Sequence, residues 1–535
     1  MDDNLIDLDS MLSQVGDFGR AQIILMVLFS FINILSAFHY FGQTFISIVP
    51  KHTCNYEICC DRNVTINSCD VVYLQNNDTH ISEPCVSGWK YNNTQSFGFI
   101  GIIQELNWVC NDDWKPALGQ SVFFIGSVIG SLVLGVIADI IGRLHVLVIA
   151  NSLAFVGNIS TILSKDVATF AISRFLAGLA TDTNFFMMYI IVMEYMRPSH
   201  RTLGLNLCIG IFYSLACVIV PWTAVLLKTW KNFLIFVSVP HLLVIFFYLI
   251  VPESAQWLIS KGKTERAINC FKQIAKINGR HVDDKAYENL REYCKQYVNA
   301  SEQHESLWGL LKTPKLRKKT LILIFKSMVM TLAYDAISRN INGLDYSPFV
   351  IFSVGSTTIF PACLFILAVQ DRVGRKALAS SFLLFTGIFT VCSGIIQALV
   401  SNPSPPLIIT LEVIARLAIT VAYNSGAQYA VELIPAVVRG QGVSAIHVTG
   451  YAASFFSPQI LYLAQIWQPA PGIILGVLLT LGAAACLFLP ETLNRTLPVT
   501  LRDGEEFGED EGIFEFACCR VTTESTATLY RSDAS

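Results

Sequence analysis

Twelve long apolar segments recur along this chain, and they constrain its fold more than any other feature. A helix that spans a bilayer needs roughly 20 mostly apolar residues. Charged residues make up 14% of the sequence, against about one quarter in an ordinary soluble protein. The segments lie near residues 21–49, 117–138, 145–163, 167–195, 202–224, 231–251, 320–339, 347–370, 377–400, 405–432, 439–464 and 469–489. The sequence therefore predicts an all-α membrane protein with twelve transmembrane helices.

The segment between the first two apolar runs, 50–116, is rich in cysteine. An even cluster in one loop is typical of disulfides in an oxidising compartment, so we expect three disulfides without choosing a pairing. A zinc site is the alternative, and the absence of a paired C-x-x-C spacing disfavours it. The cysteines are Cys54, Cys59, Cys60, Cys69, Cys85 and Cys110. The same loop holds three N-glycosylation acceptors, Asn63, Asn77 and Asn92.

The distribution of Lys and Arg predicts the orientation. The turns after the second, fourth, eighth and tenth helices, together with the segment 252–319, carry most of these cations. They fall on one side of the membrane, which the positive-inside rule assigns to the cytosol. Both the N-terminus, 1–20, and the tail, 491–535, share that side, and the loop 50–116 lies outside. We expect a multi-pass protein of the plasma membrane.

The same short motifs appear at helix ends in both halves of the chain. Glu432 lies 238 residues after Glu194, and Pro490-Glu491-Thr492 lies 238 residues after Pro252-Glu253-Ser254. Such a recurrence indicates that a six-helix unit has been duplicated. The predicted halves are 21–251 and 320–490, joined by the cytosolic loop 252–319. Parallel repeats that rock about a site near the bilayer midplane are an architecture of secondary transporters.

Charged residues lie in the predicted cytosolic turns of both halves. Aspartate in a D-x-x-G-R turn can pair with arginine or accept hydrogen bonds from a helix N-terminus, and the glycine permits a tight turn. We interpret these residues as a latch that closes in one conformation and opens in another, with simple anchoring by positive charge as the alternative. The proposed latch comprises Asp139, Arg143, Glu194, Arg201, Asp371, Arg375, Glu432 and Arg439.

Three motifs resemble those of a known family. They are the stretch 104–114 that closes the outer loop, the P-E-S-A-Q-W-L element at 252–258, and the Y-A-V-E-L-I-P element at 429–435. These resemble the organic cation, anion and zwitterion carriers of the major facilitator superfamily. The resemblance implies the major facilitator fold, with two pseudo-symmetric six-helix halves whose first, fourth, seventh and tenth helices line the cavity. Sugar porters share a similar P-E-S-P-R-W-L element and the Asp/Gly/Arg turns. They usually lack a cysteine-rich first outer loop, so they rank second.

Several positions depart from that family's pattern. Tyr451 stands where cation carriers have Asp and anion carriers have Arg, and Ile359 stands where cation carriers have Glu. Asp182 replaces a frequent Lys in the fourth helix, and Ile140 replaces an Arg in the first Asp/Gly/Arg turn. The resemblance therefore leaves the charge of the substrate open.

Asp182 is the candidate that decides the predicted substrate. An ionised group at the middle of a membrane costs several kcal/mol unless it is paired or hydrated, so it is functional by default. Phe185 and Tyr189 follow on the same helix and can supply cation–π faces to an organic cation. The alternative is that Asp182 pairs with a cation on a neighbouring helix. We favour the organic cation.

Other candidate binding residues come in pairs one helical turn apart. Asp335 and Arg339 share a helix face, so they can pair with each other or, when open, hold a zwitterion. His447 and Tyr451 lie four residues apart, where Tyr451 can hydrogen-bond a substrate and His447 is either a pH sensor or a satisfied buried residue. The remaining candidates are Asn33, Tyr40 and Tyr334.

These features predict a secondary transporter of small organic cations, with organic anions or zwitterions as alternatives. A sugar porter and a non-transporting receptor or adaptor are weaker alternatives. We expect that the protein is not an enzyme and that it binds no cofactor or metal. The chain has neither a G-x-x-x-x-G-K-[ST] phosphate-binding loop nor an H-E-x-x-H metal-binding pair. The expected partners are the substrate and the lipid bilayer, not nucleic acid, and the coupling ion stays open. The acid-rich tail, 491–535, is expected to be disordered.

Overall fold

A computed structural model provides the structure of the chain. It describes residues 8–16, 18–55, 64–66, 68–75, 79–85, 87–196, 208–300, 308–340, 346–400, 403–493, 495, 497–498, 500–509 and 511–516. Helices dominate these residues, and ten of the helices within them are long and apolar enough to cross a membrane. Two shorter helical segments near the C-terminus complete a set of twelve.

Every one of the twelve predicted segments coincides with a helix, which confirms the predicted fold class. We number these helices α1 to α12 in chain order. The first six are Arg20–Ile46, Trp114–Ile141, Arg143–Ile162, Val167–Glu194, Ile209–Leu227 and Trp230–Leu249. The second six are Pro314–Arg339, Pro348–Val373, Arg375–Leu399, Pro405–Leu433, Arg439–Ser454 (continued by Ser457–Tyr462) and Ala470–Cys486.

Small residues allow neighbouring helices to approach closely. Helix α4 is interrupted between the segments Val167–Gly178 and Thr181–Glu194. Gly126 and Gly130 of α2 face this break, and a Cβ atom at either glycine would overlap backbone atoms of α4. Helix pairs in membranes associate through such close contacts, since burial of apolar surface gives no net drive there. In the C-terminal half, Gly476 of α12 likewise lies against the backbone of α9.

Two tight turns link helices in corresponding places of the two halves. Gly142 between α2 and α3 has φ +111°, and Gly374 between α8 and α9 has φ +99°. These are left-handed backbone conformations that glycine adopts without strain. The predicted tight Asp/Gly/Arg turns are therefore confirmed in both halves.

The segment between α1 and α2 forms small antiparallel sheets at one end of the bundle, which we call the disulfide end. The strands are β1 Lys51–Cys54, β2 Val64–Ile66, β3 Asp70–Gln75, β4 Thr79–Pro84 and β5 Trp89–Asn92, with β1 paired to β5 and β3 placed between β2 and β4. Two disulfides join Cys54 to Cys85 and Cys69 to Cys110. A third disulfide stays a prediction, because Cys59 and Cys60 lie outside the described residues, as do Asn63 and Asn77. Asn92 is exposed at this end.

Short helices cover the opposite end of the bundle, which we call the basic end. They are Leu8–Val15, Ala255–Ser260, Thr264–Asn278, Asp284–Ala300, Gly309–Lys312 and Leu501–Glu506. The first of them was not predicted, because its few apolar residues are hidden in an acidic segment. Met11, Leu12 and Val15 are buried in the same core cluster as Phe271 of the helix Thr264–Asn278.

Part of the tail is ordered, so the predicted disorder of 491–535 is wrong for the described residues up to 516. Glu505 accepts hydrogen bonds from the Thr313 hydroxyl (2.5 Å) and from the backbone N–H of Lys315 (2.9 Å) at the start of α7. The ammonium of Lys319 in turn donates to the carbonyls of Gly504, Glu505 and Phe507 at 2.5–3.1 Å. The tail helix thereby caps α7, which a disordered chain cannot do.

Candidate functional site

A cavity of about 790 Å³ lies between the two halves, and we call it the central cavity. Its walls come from α2, α4 and α5 of the first half and from α8, α10 and α11 of the second half. It extends from Asp182 and Tyr451 in the interior to Met193 and Ser444, near the basic end. Apolar residues make up the larger part of the lining, and polar residues occur along its length, from Asp182 in the interior to Ser444 near the basic end.

Asp182 is the acidic residue of the central cavity. It lies at the start of the second segment of α4, where its side chain is 8% exposed. The Ser127 hydroxyl donates to its Oδ2, and Ser131 and Tyr451 also hydrogen-bond the carboxylate. Tyr451 belongs to α11, so this bond crosses between the halves. No lysine or arginine in the described part of the chain forms an ion pair with Asp182.

Aromatic rings form one wall near this carboxylate. Tyr189 lines the cavity, and its ring centroid is 6.1 Å from that of Phe185. Phe185 itself points toward Phe29 of α1, with ring centroids 5.6 Å apart, and does not line the cavity. Phe186 lines it instead, 5.8 Å from the ring of His447. Sequence reasoning missed Phe186 because Phe185 and Phe186 lie three and four residues after Asp182, and both spacings place a side chain near the helix face of Asp182.

The other predicted binding residues divide between the cavity and the bundle interior. His447 and Tyr451 both line the central cavity. Asn33 is fully buried in α1, where its amide donates to a carbonyl of the same helix at 2.8 Å. Tyr334 stacks against Tyr423 with ring centroids 4.9 Å apart. Neither Asn33 nor Tyr334 lines the cavity in this conformation.

Asp335 and Arg339 lie away from the central cavity, toward the disulfide end. Their side chains are 0% and 2% exposed and form an ion pair of 2.7 Å. Two residues of α1 join them, because the Tyr40 hydroxyl donates to Asp335 at 2.6 Å and Arg339 donates to the Thr44 hydroxyl at 2.6 Å. The ring of Tyr40 also faces the guanidinium at 4.7 Å. We call these four residues the gate cluster.

The central cavity is lined by a different set of helices from the one expected, and the gate cluster gives the reason. The family resemblance implied walls from α1, α4, α7 and α10, yet neither α1 nor α7 supplies a described lining residue. These two helices contact each other through Tyr40, Thr44, Asp335 and Arg339 and close the bundle toward the disulfide end. The cavity consequently lies on the other side of this closure, where α2, α5, α8 and α11 separate.

Two ionisable residues of membrane helices were missed by sequence reasoning. Lys326 of α7 is fully buried, donates to the Gly426 carbonyl at 2.5 Å, and borders His447 in a small cavity beside the central one. Glu412 of α10 lines a separate cavity near the gate cluster. No ion pair to either residue occurs among the described residues. The rule that singled out Asp182, a charge inside an apolar segment, would have found both.

In the first half, a glutamate outside the predicted set organises the charged turn. Asp139 and Arg143 form an exposed ion pair of 2.9 Å. The Glu253 carboxylate accepts from the backbone N–H of Arg143 at 2.9 Å and thereby caps α3. The Ser254 hydroxyl donates to Glu194 at 2.6–2.7 Å.

The second half repeats this arrangement at equivalent positions. Arg375 pairs with Asp371 at 3.0 Å and with Glu432 at 3.2 Å. Glu491 accepts from the backbone N–H of Arg375 at 3.0 Å, and the Thr492 hydroxyl donates to Glu432 at 2.5 Å. The 238-residue recurrence in the sequence thus corresponds to a recurrent hydrogen-bond network.

These turn contacts lie within one half each. Arg439 donates to the Ile434 carbonyl at 3.2 Å, while Arg201 lies outside the described residues. The recurrence of Glu253 and Glu491 in the sequence was the signal for two further members of the network. A latch that opens and closes during transport stays a prediction.

The fold and its central cavity define the class of protein: a secondary transporter of the major facilitator superfamily. Residues 86–500 match the family model described as "Sugar (and other) transporter". Because this match spans more than half of the chain, the protein belongs to that family. Its members are transporters and not enzymes.

Curated relatives carry names that agree with the motifs. The chain is 27% identical to the Organic cation transporter-like protein of Drosophila melanogaster, over 94% of this chain and 93% of that protein. It is 28% identical to Organic cation transporter 1 of Caenorhabditis elegans, over 95% and 91%. It is also 28% identical to Solute carrier family 22 member 3 of Rattus norvegicus, over 83% and 78%. The resemblance to organic ion carriers is confirmed.

Solved structures support the fold. The inward open conformation of the xylose transporter XylE from E. coli aligns with a TM-score of 0.60 at 16% identity, covering 91% of this chain and 100% of that one. The peptide transporter POT in complex with sulfate aligns with a TM-score of 0.55 at 15% identity, covering 90% and 97%. At such identity the likeness concerns the fold alone.

Proposed function

We propose that this protein moves small organic cations across the plasma membrane by alternating access. One observation carries the proposal: the lining of the central cavity includes the carboxylate of Asp182 and, among the described residues, no lysine or arginine. A fixed negative charge in a low-dielectric cavity favours a cation strongly. The aromatic faces of Tyr189 and Phe186 add cation–π attraction.

Alternating access is proposed from the two halves and their contacts. The halves touch at the gate cluster and separate around the central cavity toward the basic end. We assign the basic end to the cytosol, because it carries the Lys- and Arg-rich segment 252–319. This conformation is then inward-facing, and an outward-facing one requires the gate cluster to part. The names of the organic cation transporters among the relatives agree with this substrate class.

The test is uptake of radiolabelled tetraethylammonium by cells that express the protein. We expect saturable uptake that rises as the cell interior becomes more negative, since moving one charge across 100 mV is worth about 2.3 kcal/mol. Asp182→Asn should reduce uptake at least roughly tenfold, because it removes a Coulombic attraction of about 4 kcal/mol between opposite charges roughly 4 Å apart at an effective dielectric constant of about 20. Surface biotinylation checks that the variant reaches the membrane.

Matched controls make the result decisive. Asp182→Glu keeps the charge and should retain part of the uptake. Asp284→Asn removes an exposed carboxylate from a helix of the basic end and should leave uptake unchanged. Full uptake by Asp182→Asn would remove the residue from the site. Uptake of an aromatic carboxylate or a hexose in place of the cation would favour the anion carrier or sugar porter, and binding without flux would favour a receptor.

A second candidate function, transport of a zwitterion, is supported by Lys326. Its ammonium is buried beside His447 without an acidic partner among the described residues, so a carboxylate that entered past His447 would meet a positive charge. The test compares γ-aminobutyrate with its ethyl ester, which is a cation of similar shape. If the zwitterion is the substrate, Lys326→Met should abolish uptake of the amino acid and leave uptake of the ester. Equal effects on both would exclude this role for Lys326.

A further inference from the structure

A second cavity, of about 340 Å³, lies between the halves on the far side of the gate cluster from the central cavity. We call it the gate cavity. Its walls include Thr44, Asp113 and Gln120 from the first half and Arg339, Glu412 and Tyr462 from the second half. Its volume falls within the roughly 300–1,000 Å³ of small-molecule sites.

Glu412 is the residue that the fold alone does not explain. It lies seven residues into α10, about 10 Å from the start of the helix at 1.5 Å per residue. The Ser393 hydroxyl donates to it at 3.0 Å, and Asn340 also hydrogen-bonds it. No cation neutralises it in the part of the chain that the structure describes. A carboxylate inside a membrane helix is expensive unless it is paired or hydrated, and an ammonium ion in the gate cavity would pair it.

The charges around the gate cavity favour a cation. Arg339 is already neutralised by Asp335 at 2.7 Å. Asp113 accepts from the Tyr462 hydroxyl at 2.8 Å, a bond that crosses between the halves. Two carboxylates, Asp113 and Glu412, thus lie on walls from opposite halves, and neither forms an ion pair with a described lysine or arginine. Ser47 lines the cavity as well, and its buried hydroxyl has no hydrogen-bond partner among the described residues.

We propose that the gate cavity is a second binding site, for a small organic ammonium ion that enters from the disulfide end. Glu412 supplies the main negative charge, and Asp113 supplies a second charge from the other half. A bound cation therefore bridges the halves on the closed side of the gate cluster. The ligand class rests on the proposed function, but the site is separate from Asp182.

The experiment measures equilibrium binding of radiolabelled tetraethylammonium to the purified full-length protein in nanodiscs. Asp182→Asn removes the charge of the central cavity, and we expect saturable binding to persist in this variant. Adding Glu412→Gln should weaken that binding at least roughly tenfold, because the Coulombic attraction between the carboxylate and the cation is lost. The matched control adds Glu83→Gln, an exposed carboxylate of β4 at the same end, and should leave binding unchanged.

Two outcomes would overturn the proposal: no saturable binding in Asp182→Asn, or equal binding with and without Glu412→Gln. A misfolded variant is recognised by thermal unfolding. Asp113→Asn then tests the same cavity from the other half and should weaken binding several-fold. Failure of the proposed function looks different, because it appears as uptake that Asp182→Asn leaves unchanged.

Discussion

The Tyr40 hydroxyl donates a hydrogen bond of 2.6 Å to Asp335, joining two helices of different halves whose residues are 295 positions apart. The bond sits beside the buried ion pair of Asp335 with Arg339, and Arg339 in turn donates to the Thr44 hydroxyl at 2.6 Å, so this ion pair contacts the other half through both of its members. Breaking this contact is a step that an outward-facing conformation requires. Passage between the gate cavity and the central cavity therefore depends on the gate cluster.

Tyr40→Phe should favour opening at the disulfide end. The hydrogen bond to a charged group contributes roughly 1.5–3 kcal/mol, which shifts the ratio of open to closed molecules by about 10- to 150-fold. A cysteine placed at Ala427, which lines the central cavity beyond the gate cluster, should then react faster with a membrane-impermeant maleimide applied from the disulfide end. Tyr91→Phe is the matched control, because its hydroxyl bonds Asn107 (2.9 Å) outside the interface between the halves. Equal labelling of the two variants would contradict the gate.

Arg339→Gln should destabilise the protein more than removal of the whole ion pair. Leaving Asp335 buried without its cation costs about 3–5 kcal/mol. The double variant Asp335→Asn, Arg339→Gln removes both charges and should recover much of this loss. The measurement is thermal unfolding in detergent, together with the amount of protein at the cell surface. Lys231→Gln breaks the exposed pair with Glu105 and should change stability by no more than about 1 kcal/mol.

Gly130→Val should disturb the packing of α2 on α4. Its Cβ atom would overlap the backbone of Leu179, which cannot move aside as a flexible side chain can. Overpacking of this kind costs about 1–3 kcal/mol or more. We expect a lower unfolding temperature and less protein at the surface. Gly440→Ala, where no atom lies within 4 Å of the added Cβ, should be neutral or slightly stabilising, and an equal loss in both variants would refute the close approach.

Glu505→Gln should loosen the tail from α7 in a pH-dependent way. Burial alone would raise the pKa of Glu505, but hydrogen bonds from Thr313 and the backbone of Leu316 and Lys315 outweigh it and lower the pKa below its ordinary value of 4.5. The stabilisation is therefore fully present above about pH 4.5 and is lost as the pH falls through the folded-state pKa.

The unfolding temperatures of wild type and Glu505→Gln, measured from pH 7 downward, should differ most near neutral pH and converge in acid. Glu506→Gln is the control, because this neighbouring residue pairs only within the tail helix, with Arg502 at 3.0 Å. A constant difference across the pH range would show that the Glu505 carboxylate does not hold the tail. If the two unfolding temperatures already became equal near neutral pH, the loss of stability would be due to the titration of another group.

Much of the architecture could be predicted from local sequence. Each of the twelve helices follows from a run of apolar residues long enough to span a bilayer, and the Asp/Gly/Arg turns at Gly142 and Gly374 follow from short motifs. Asp182, Tyr189, His447 and Tyr451 were found because polar side chains stand out within such runs. The same rule applied to every apolar segment would have added Lys326 and Glu412.

Other features could not be predicted because they depend on how helices rotate and pack. Phe185 and Phe186 are adjacent in sequence, and only the rotation of the helix Thr181–Glu194 against its neighbours decides that Phe186 reaches the cavity. The charges Asp335 and Arg339 read as substrate contacts, yet their place next to Tyr40 makes them part of a closure between the halves. The tail reads as disordered, because its docking partner at Lys315 is far away in the chain.

The sequence by itself determined the number of membrane crossings, the duplication of a six-helix unit and the presence of a carboxylate at membrane depth, since hydrophobic length and repeat spacing are properties of the chain. The tertiary structure decided which helices face the central cavity and which charges pair. Those outcomes depend on side chains that meet from positions hundreds of residues apart, such as Tyr40 and Asp335, and no local pattern encodes such a meeting.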